Sequence, residues 1–153
     1  MAGFLKRLLP KRFRKEGVVI PVVRLHGPIM SGGSQFRPTL NLAATAQVLE
    51  KAFSFKDAPA VAISLNSPGG SPVQSRLVFA RIRDLAREKQ KKVLVFVEDV
   101  AASGGYMIAL AGDEIIADPT SISPATSRTK KPILFASEPT NPSTARNRAD
   151  STR

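Results

Sequence analysis

Short apolar runs alternate along this chain with stretches of helical periodicity. Val18 to Leu25 (VVIPVVRL) predicts a first strand, and Pro21 within it argues for a sheet edge or an early bulge, because proline has no N–H to donate. Leu42, Ala46, Leu49 and Phe53 share one face of a predicted helix over 42–53, with Asn41 as its cap. Ala60 to Leu65 (AVAISL) reads as a strand buried on both faces. Pro72 suits a first helical turn. From it a helix is predicted to about Lys89, with Val73, Leu77, Val78, Ile82 and Leu85 inward and Arg76, Arg83, Arg87 and Glu88 outward. Val93 to Val97 gives another strand, Tyr106 to Ala111 a short small-residue helix, and Glu114 to Ala117 a last strand. That order predicts an α/β fold with a largely parallel sheet.

Ligands of such sheets gather at the carboxyl ends of the strands. Two glycine turns fall there, Asn66–Gly70 and Ala101–Gly105. The second sets Ser103 where a strand gives way to a helix, beside unpaired N–H groups and a partial positive charge. A glycine on its far side lets a carbonyl approach the backbone. Two readings follow: Ser103 caps the helix, or it is presented as a nucleophile. The shared location of both glycine turns favours the nucleophile. Neither turn has the spacing or lysine of a phosphate-binding loop. His26, the only histidine, sits at a strand end where a structural role is the expectation.

Composition refines this picture at the ends of the chain. The 153 residues suffice for one domain with a sizeable core. There is no cysteine, so disulfides and thiolate metal sites are excluded. No metal or cofactor is expected. The net charge of +11 resides in the termini, and residues 16–122 are about neutral, so the body carries no nucleic-acid footprint. No apolar run reaches the roughly 18 residues of a membrane-spanning helix, and the start lacks the pattern of a secretory signal. Phe4, Leu5, Leu8 and Leu9 stand among Lys6, Arg7, Lys11, Arg12, Arg14 and Lys15, which suits residues 4–15 to peripheral contact with an anionic membrane. The expected location is therefore the cytoplasm or the inner face of a membrane. Residues 123–153 are rich in Ser, Thr, Pro and Arg, with Ile133, Leu134 and Phe135 as their only apolar cluster; disorder is expected there.

NSPGGS at 66–71 and VAASGGYMIALAGDEIIAD at 100–118 resemble the signal peptide peptidase A (protease IV) family of serine peptidases, over roughly residues 17–122. The resemblance implies a ClpP/crotonase-like spiral of ββα-type units. It implies Ser103 as nucleophile, and an oxyanion site made by the N–H groups of Gly69 and Gly104, with Gly70 keeping the turn open. Ala101 and Ala102 would line the approach. Peptide substrates such as signal-peptide remnants, and homo-oligomers, are the implied partners. The family's base is a lysine about fifty residues beyond the serine, and the resemblance stops at Ile122. Lys130 and Lys131 lie in the dissimilar tail and do not inherit the role. The expectation is thus a basic arm (1–16), an incomplete N-terminal part of a serine peptidase domain (17–122) and a tail (123–153), inactive alone for want of a base. A non-catalytic peptide-binding or assembly module of the same fold is the alternative, and an acyl-CoA enzyme of the crotonase type is a weaker one.

Overall fold

The structure, a computed structural model, describes residues 18–32 and 39–123 and the backbone of 133–135. Its elements are β1 (Val22–His26), α1 (Leu42–Phe53), β2 (Ala60–Ser67), α2 (Pro72–Lys89), β3 (Lys92–Ala101), α3 (Gly104–Ala109), β4 (Glu114–Ala117) and β5 (Ile133–Phe135). The strands form a single parallel sheet in chain order, β1-β2-β3-β4-β5.

Pro21 accounts for the late start of β1. Without an N–H it cannot join the ladder, but its carbonyl accepts from Ala62 N–H at 3.0 Å, and Val18 and Val19 before it stay exposed. The strand does lie at the sheet edge, as the proline suggests. Asn41 caps α1 as its side chain predicts, accepting from Ala44 N–H at 2.8 Å. On α2 the buried stripe differs from the one expected. Ser75, Val78, Ile82, Leu85 and Ala86 face the core, while Val73 is 65% exposed and Leu77 36%. The stripe is rotated because Ser75, not Val73, meets Gly104 at the site end of the sheet.

One face of the sheet is packed. Val23, Leu25, Val61, Ile63, Leu65, Val93, Val95, Val97 and Ile115 form a continuous core with Leu49 and Phe53 of α1, Val78, Ile82 and Leu85 of α2, and Ile108 of α3. The alternate residues form the opposite face: Val22, Arg24 and His26, then Ser64 and Asn66, then Leu94, Phe96 and Glu98, then Glu114 and Ile116. These are exposed or half-buried. The expectation that Ala60 to Leu65 is buried on both faces therefore fails at Ser64, and the strand runs on to Ser67 with Asn66 half-buried on the same open face. The tail also departs from expectation. Ile133–Phe135 pair with Ile115–Ala117 and extend the sheet beyond β4. The rest of the tail and the arm 1–16 lie outside the described residues.

Candidate active site

β2 and β3 run side by side from Ala60↔Lys92 to Leu65↔Val97, then slip register so that Ser67 faces Ala101. This slip brings the two glycine turns against each other at the carboxyl end of the sheet. Ser103 follows β3 by two residues and immediately precedes α3. Its φ of 51° and ψ of −119° belong to the first central position of a type II′ turn, a conformation that glycine ordinarily takes. A serine there carries about 1–3 kcal/mol of backbone strain. Its side chain makes no capping hydrogen bond, and it is exposed. The cap reading is excluded by this geometry.

Close packing holds the turn in place. A side chain at Gly104 would overlap Ser75 Oγ of α2, and one at Gly105 would stand 2.5 Å from the Ser67 carbonyl oxygen. Gly69 has φ +99°, and a Cβ there would lie 2.8 Å from Ser103 Cβ and 2.8 Å from the Gly104 nitrogen. The two loops are thus in direct contact, and only glycine permits it.

Ser67, which the sequence reading did not single out, ties them together. It is fully buried. Its hydroxyl donates to Gly27 O at 2.7 Å and accepts from Gly69 N–H at 3.2 Å. Its carbonyl accepts from Ala102 N–H at 3.1 Å. One residue therefore fixes the exit of β1, the glycine loop and the serine turn. The signal in the sequence was a serine within a sharp turn, but one of its partners, Gly27, comes from 40 residues away.

These bonds decide which N–H groups remain for a ligand. Gly69 N–H is directed at Ser67 Oγ. Ile29 bridges Gly70 in parallel, with Ile29 N–H on Gly69 O at 2.9 Å and Ser71 N–H on Ile29 O at 2.7 Å. In that pattern Gly70's own N–H and C=O turn away from Ile29.

His26 is engaged elsewhere, on the open face of the sheet. Its Nε2 lies 2.8 Å from Ser64 Oγ and 3.4 Å from Glu98 Oε1, and Ser64 Oγ donates to the same carboxylate oxygen at 2.5 Å. Asn66 Nδ2 donates to Asp99 Oδ2 at 2.7 Å. A cleft of about 470 Å³ lies beside these groups, lined by Val97, Glu98, Asp99, Asp118, Thr120, Ser121 and Ile122. Asp118 at its rim has its carboxyl held below the usual range by the Thr120 hydroxyl and then by the Thr120 N–H. The described lysines, Lys51, Lys56, Lys89, Lys91 and Lys92, belong to helix ends, loops or the first residue of β3, all at the amino end of the strands, opposite Ser103. No group of His, Asp and Glu among the described residues could hold a metal ion.

A parallel sheet with an exposed serine on a strained strand-to-helix turn, faced by a second glycine turn, defines a ClpP/crotonase-like α/β domain. The comparisons agree and go further. The profile of peptidase family S49 matches residues 85–123. The chain is 35% identical over 116 residues to Protease 4 of Haemophilus influenzae and 34% over 100 residues to the chloroplastic serine protease SPPA of Arabidopsis thaliana. These matches take in 74% and 63% of this chain, and 18% and 13% of those proteins. Over these residues the chain is similar to the signal peptide peptidase A (protease IV) family. It is also 75% identical over 122 residues to a Brucella melitensis protein named Na(+)/H(+) antiporter NhaA, covering 80% of this chain and 17% of that one. Among the described residues no helix is long and apolar enough to cross a membrane. The chain thus spans less than a fifth of the length of each of these relatives. Among solved structures, a mutant of the membrane-bound stomatin-specific protease 1510-N superposes with a TM-score of 0.50 at 18% identity, over 86% of this chain and 58% of that one, which is a likeness of fold.

Proposed function

We propose that Ser103 is the nucleophile of a serine endopeptidase site acting on extended peptides. The observation that carries this is the φ of 51° at a serine whose hydroxyl caps nothing. Strain of that kind persists where the surroundings over-determine it, and it aims the hydroxyl outward from the strand end. Attack on a peptide carbonyl places negative charge on its oxygen. The N–H of Gly104, at the start of α3, and the N–H of Gly70, turned away from Ile29, are the donors best placed to receive it. Gly69 contributes by its lack of a side chain, because its own N–H is taken by Ser67. This exchanges the roles that the family resemblance suggests for Gly69 and Gly70.

The base is the weak point of the site. An unassisted hydroxyl attacks amides poorly. No described lysine stands at the Ser103 end, and His26 is occupied by Ser64 and Glu98. The described residues by themselves therefore make a poor peptidase, and the base is to be sought outside them. The same proposal includes self-association, and peripheral attachment of residues 4–15 to an anionic membrane surface at the inner face.

Labelling with a fluorophosphonate, alongside turnover of a fluorogenic peptide, tests the reading. Slow labelling confined to Ser103 and abolished in Ser103→Ala is expected, with turnover near background. Labelling unchanged in Ser103→Ala would remove the nucleophile assignment. Brisk turnover that the alanine variant loses would leave the nucleophile standing and overturn the missing base.

A further inference from the structure

The end of the domain farthest from Ser103 has a chemistry of its own. Here the chain enters β1 through Val18–Pro21, α1 runs out into the loop 54–59, and α2 turns through Gln90 into β3. Pro21 O accepts from Ala62 N–H, Pro59 O accepts from Lys92 N–H at 3.3 Å, and the Lys91 ammonium bonds the Phe55 carbonyl. These segments therefore form one continuous surface. It presents Lys51, Lys56, Lys89, Lys91 and Lys92 against Asp57 and Glu88. The acidic groups Arg81, Arg87 and Arg83 face, on Glu50, Asp84 and Asp113, are already paired with those arginines. The opposite end carries exposed Glu98, Asp99 and Asp118, so the domain is charge-polarised along its strands.

Lys51, Arg87 and Lys89 are what any helix would carry in its last turn, where they answer the dipole. Lys56, Lys91 and Lys92 lie beyond the helices and have no such reason to be there. Apolar side chains stand among them in the open: Phe55 is 46% exposed, Val18 68% and Val19 66%. A surface that holds duplex nucleic acid through its phosphates alone gains nothing from these apolar side chains. A bilayer interface does, since cations meet anionic headgroups while apolar side chains enter the acyl boundary.

We propose that this amino end of the sheet, centred on Phe55 and Lys56, is a docking surface for anionic phospholipid. It holds the domain with the Ser103 end turned toward the solvent. The surface goes beyond the peptidase reading and does not depend on it, so Ser103→Ala is expected to bind vesicles unchanged.

The test is co-sedimentation of the full chain, and of a version starting at Gly17, with vesicles of phosphatidylcholine alone or with added phosphatidylserine. Both proteins are expected to bind only the anionic vesicles, the shorter one more weakly. Each lysine near such a surface is worth roughly a five-fold change in binding. Lys56→Glu, Lys89→Glu and Lys92→Glu together should weaken binding by on the order of 100-fold in both proteins, with a preserved circular dichroism melt. Should that triple variant melt early, the triple Lys→Gln variant gives the same reading. Arg76→Glu, on the half of α2 nearer Ser103, should bind as the parent does, and Phe55→Ser should bind several-fold more weakly. Equal binding to neutral vesicles, indifference to the triple change, or tighter binding to duplex DNA or RNA than to anionic vesicles would each overturn the proposal.

Discussion

At the scale of single residues, the site is a set of glycines that permit contact and one serine held against its preference. Ser103→Gly should relieve the strain and raise the unfolding free energy by about 1 kcal/mol, while Ser103→Ala, which keeps a Cβ in the same conformation, should stay within about 0.5 kcal/mol of the parent. Urea unfolding of the two variants separates these outcomes; equal effects would show that the turn relaxes freely. Ser67→Ala removes the hydroxyl that holds Gly69 N–H and Gly27 O in a fully buried place, and a loss of about 1–3 kcal/mol is expected in the same measurement. Much of this site was legible in the sequence, because a serine between an apolar strand and glycines, and a second glycine turn, are local patterns. The exchange of roles proposed for Gly69 and Gly70 was not. It depends on Ser67 and on the bridge to Ile29, and both contacts are made across distant parts of the chain.

Elements show the same division between local and distant causes. The cap at Asn41, the proline start of α2 and the stop of the sheet edge at Pro21 follow from side-chain chemistry within a few residues. The stripe on α2 was misread because its amino end packs on Gly104 through Ser75, a polar residue that periodicity counts as outward. β5 was missed for a related reason: three apolar residues in a polar tail form a strand only when β4 offers its edge, and nothing nearby announces that. The segment after β4 is also pinned locally. Asp118 accepts from both the hydroxyl and the N–H of Thr120, and Ile122 pairs with Val100. Because Asp118's folded pKa is lowered, its contribution to stability is present above its unfolded pKa. That contribution fades as pH falls through the lower folded value. Thr120→Val removes the larger cause, so the Asp118 carboxyl should titrate at higher pH, nearer the ordinary range, in an NMR titration. An unshifted titration would show that the Thr120 N–H alone sets it.

At the scale of the whole domain, the unusual feature is a parallel sheet covered by described helices on one face alone. Parallel sheets ordinarily bury both. The alternation Arg24/His26, Ser64/Asn66 and Phe96/Glu98 records this in the sequence, but the apolar residues between them dominate a reading for core. The edge of β4, the last strand that the sequence predicts, is occupied by β5, so any tendency to associate shifts from the edge to the face. That face is polar toward the carboxyl end, where His26, Ser64 and Glu98 satisfy one another, and apolar lower down. There Val22 is 61% exposed and Phe96 41%, with Leu94 and Ile116 half-buried beside them. A contiguous apolar patch at the middle of a sheet is a template for a second surface. Self-association through this face is therefore expected to grow with concentration in size-exclusion chromatography with light scattering. Phe96→Lys together with Val22→Lys should return the chain to a monomer without lowering its melting temperature, since neither side chain belongs to the packed core. If the double variant associates as strongly as the parent, the contact lies elsewhere, and the basic end around Phe55 becomes the next surface to alter. If the parent is already monomeric at every concentration, then the polar cluster and the half-burial of Leu94 and Ile116 suffice to keep one face of a parallel sheet in water.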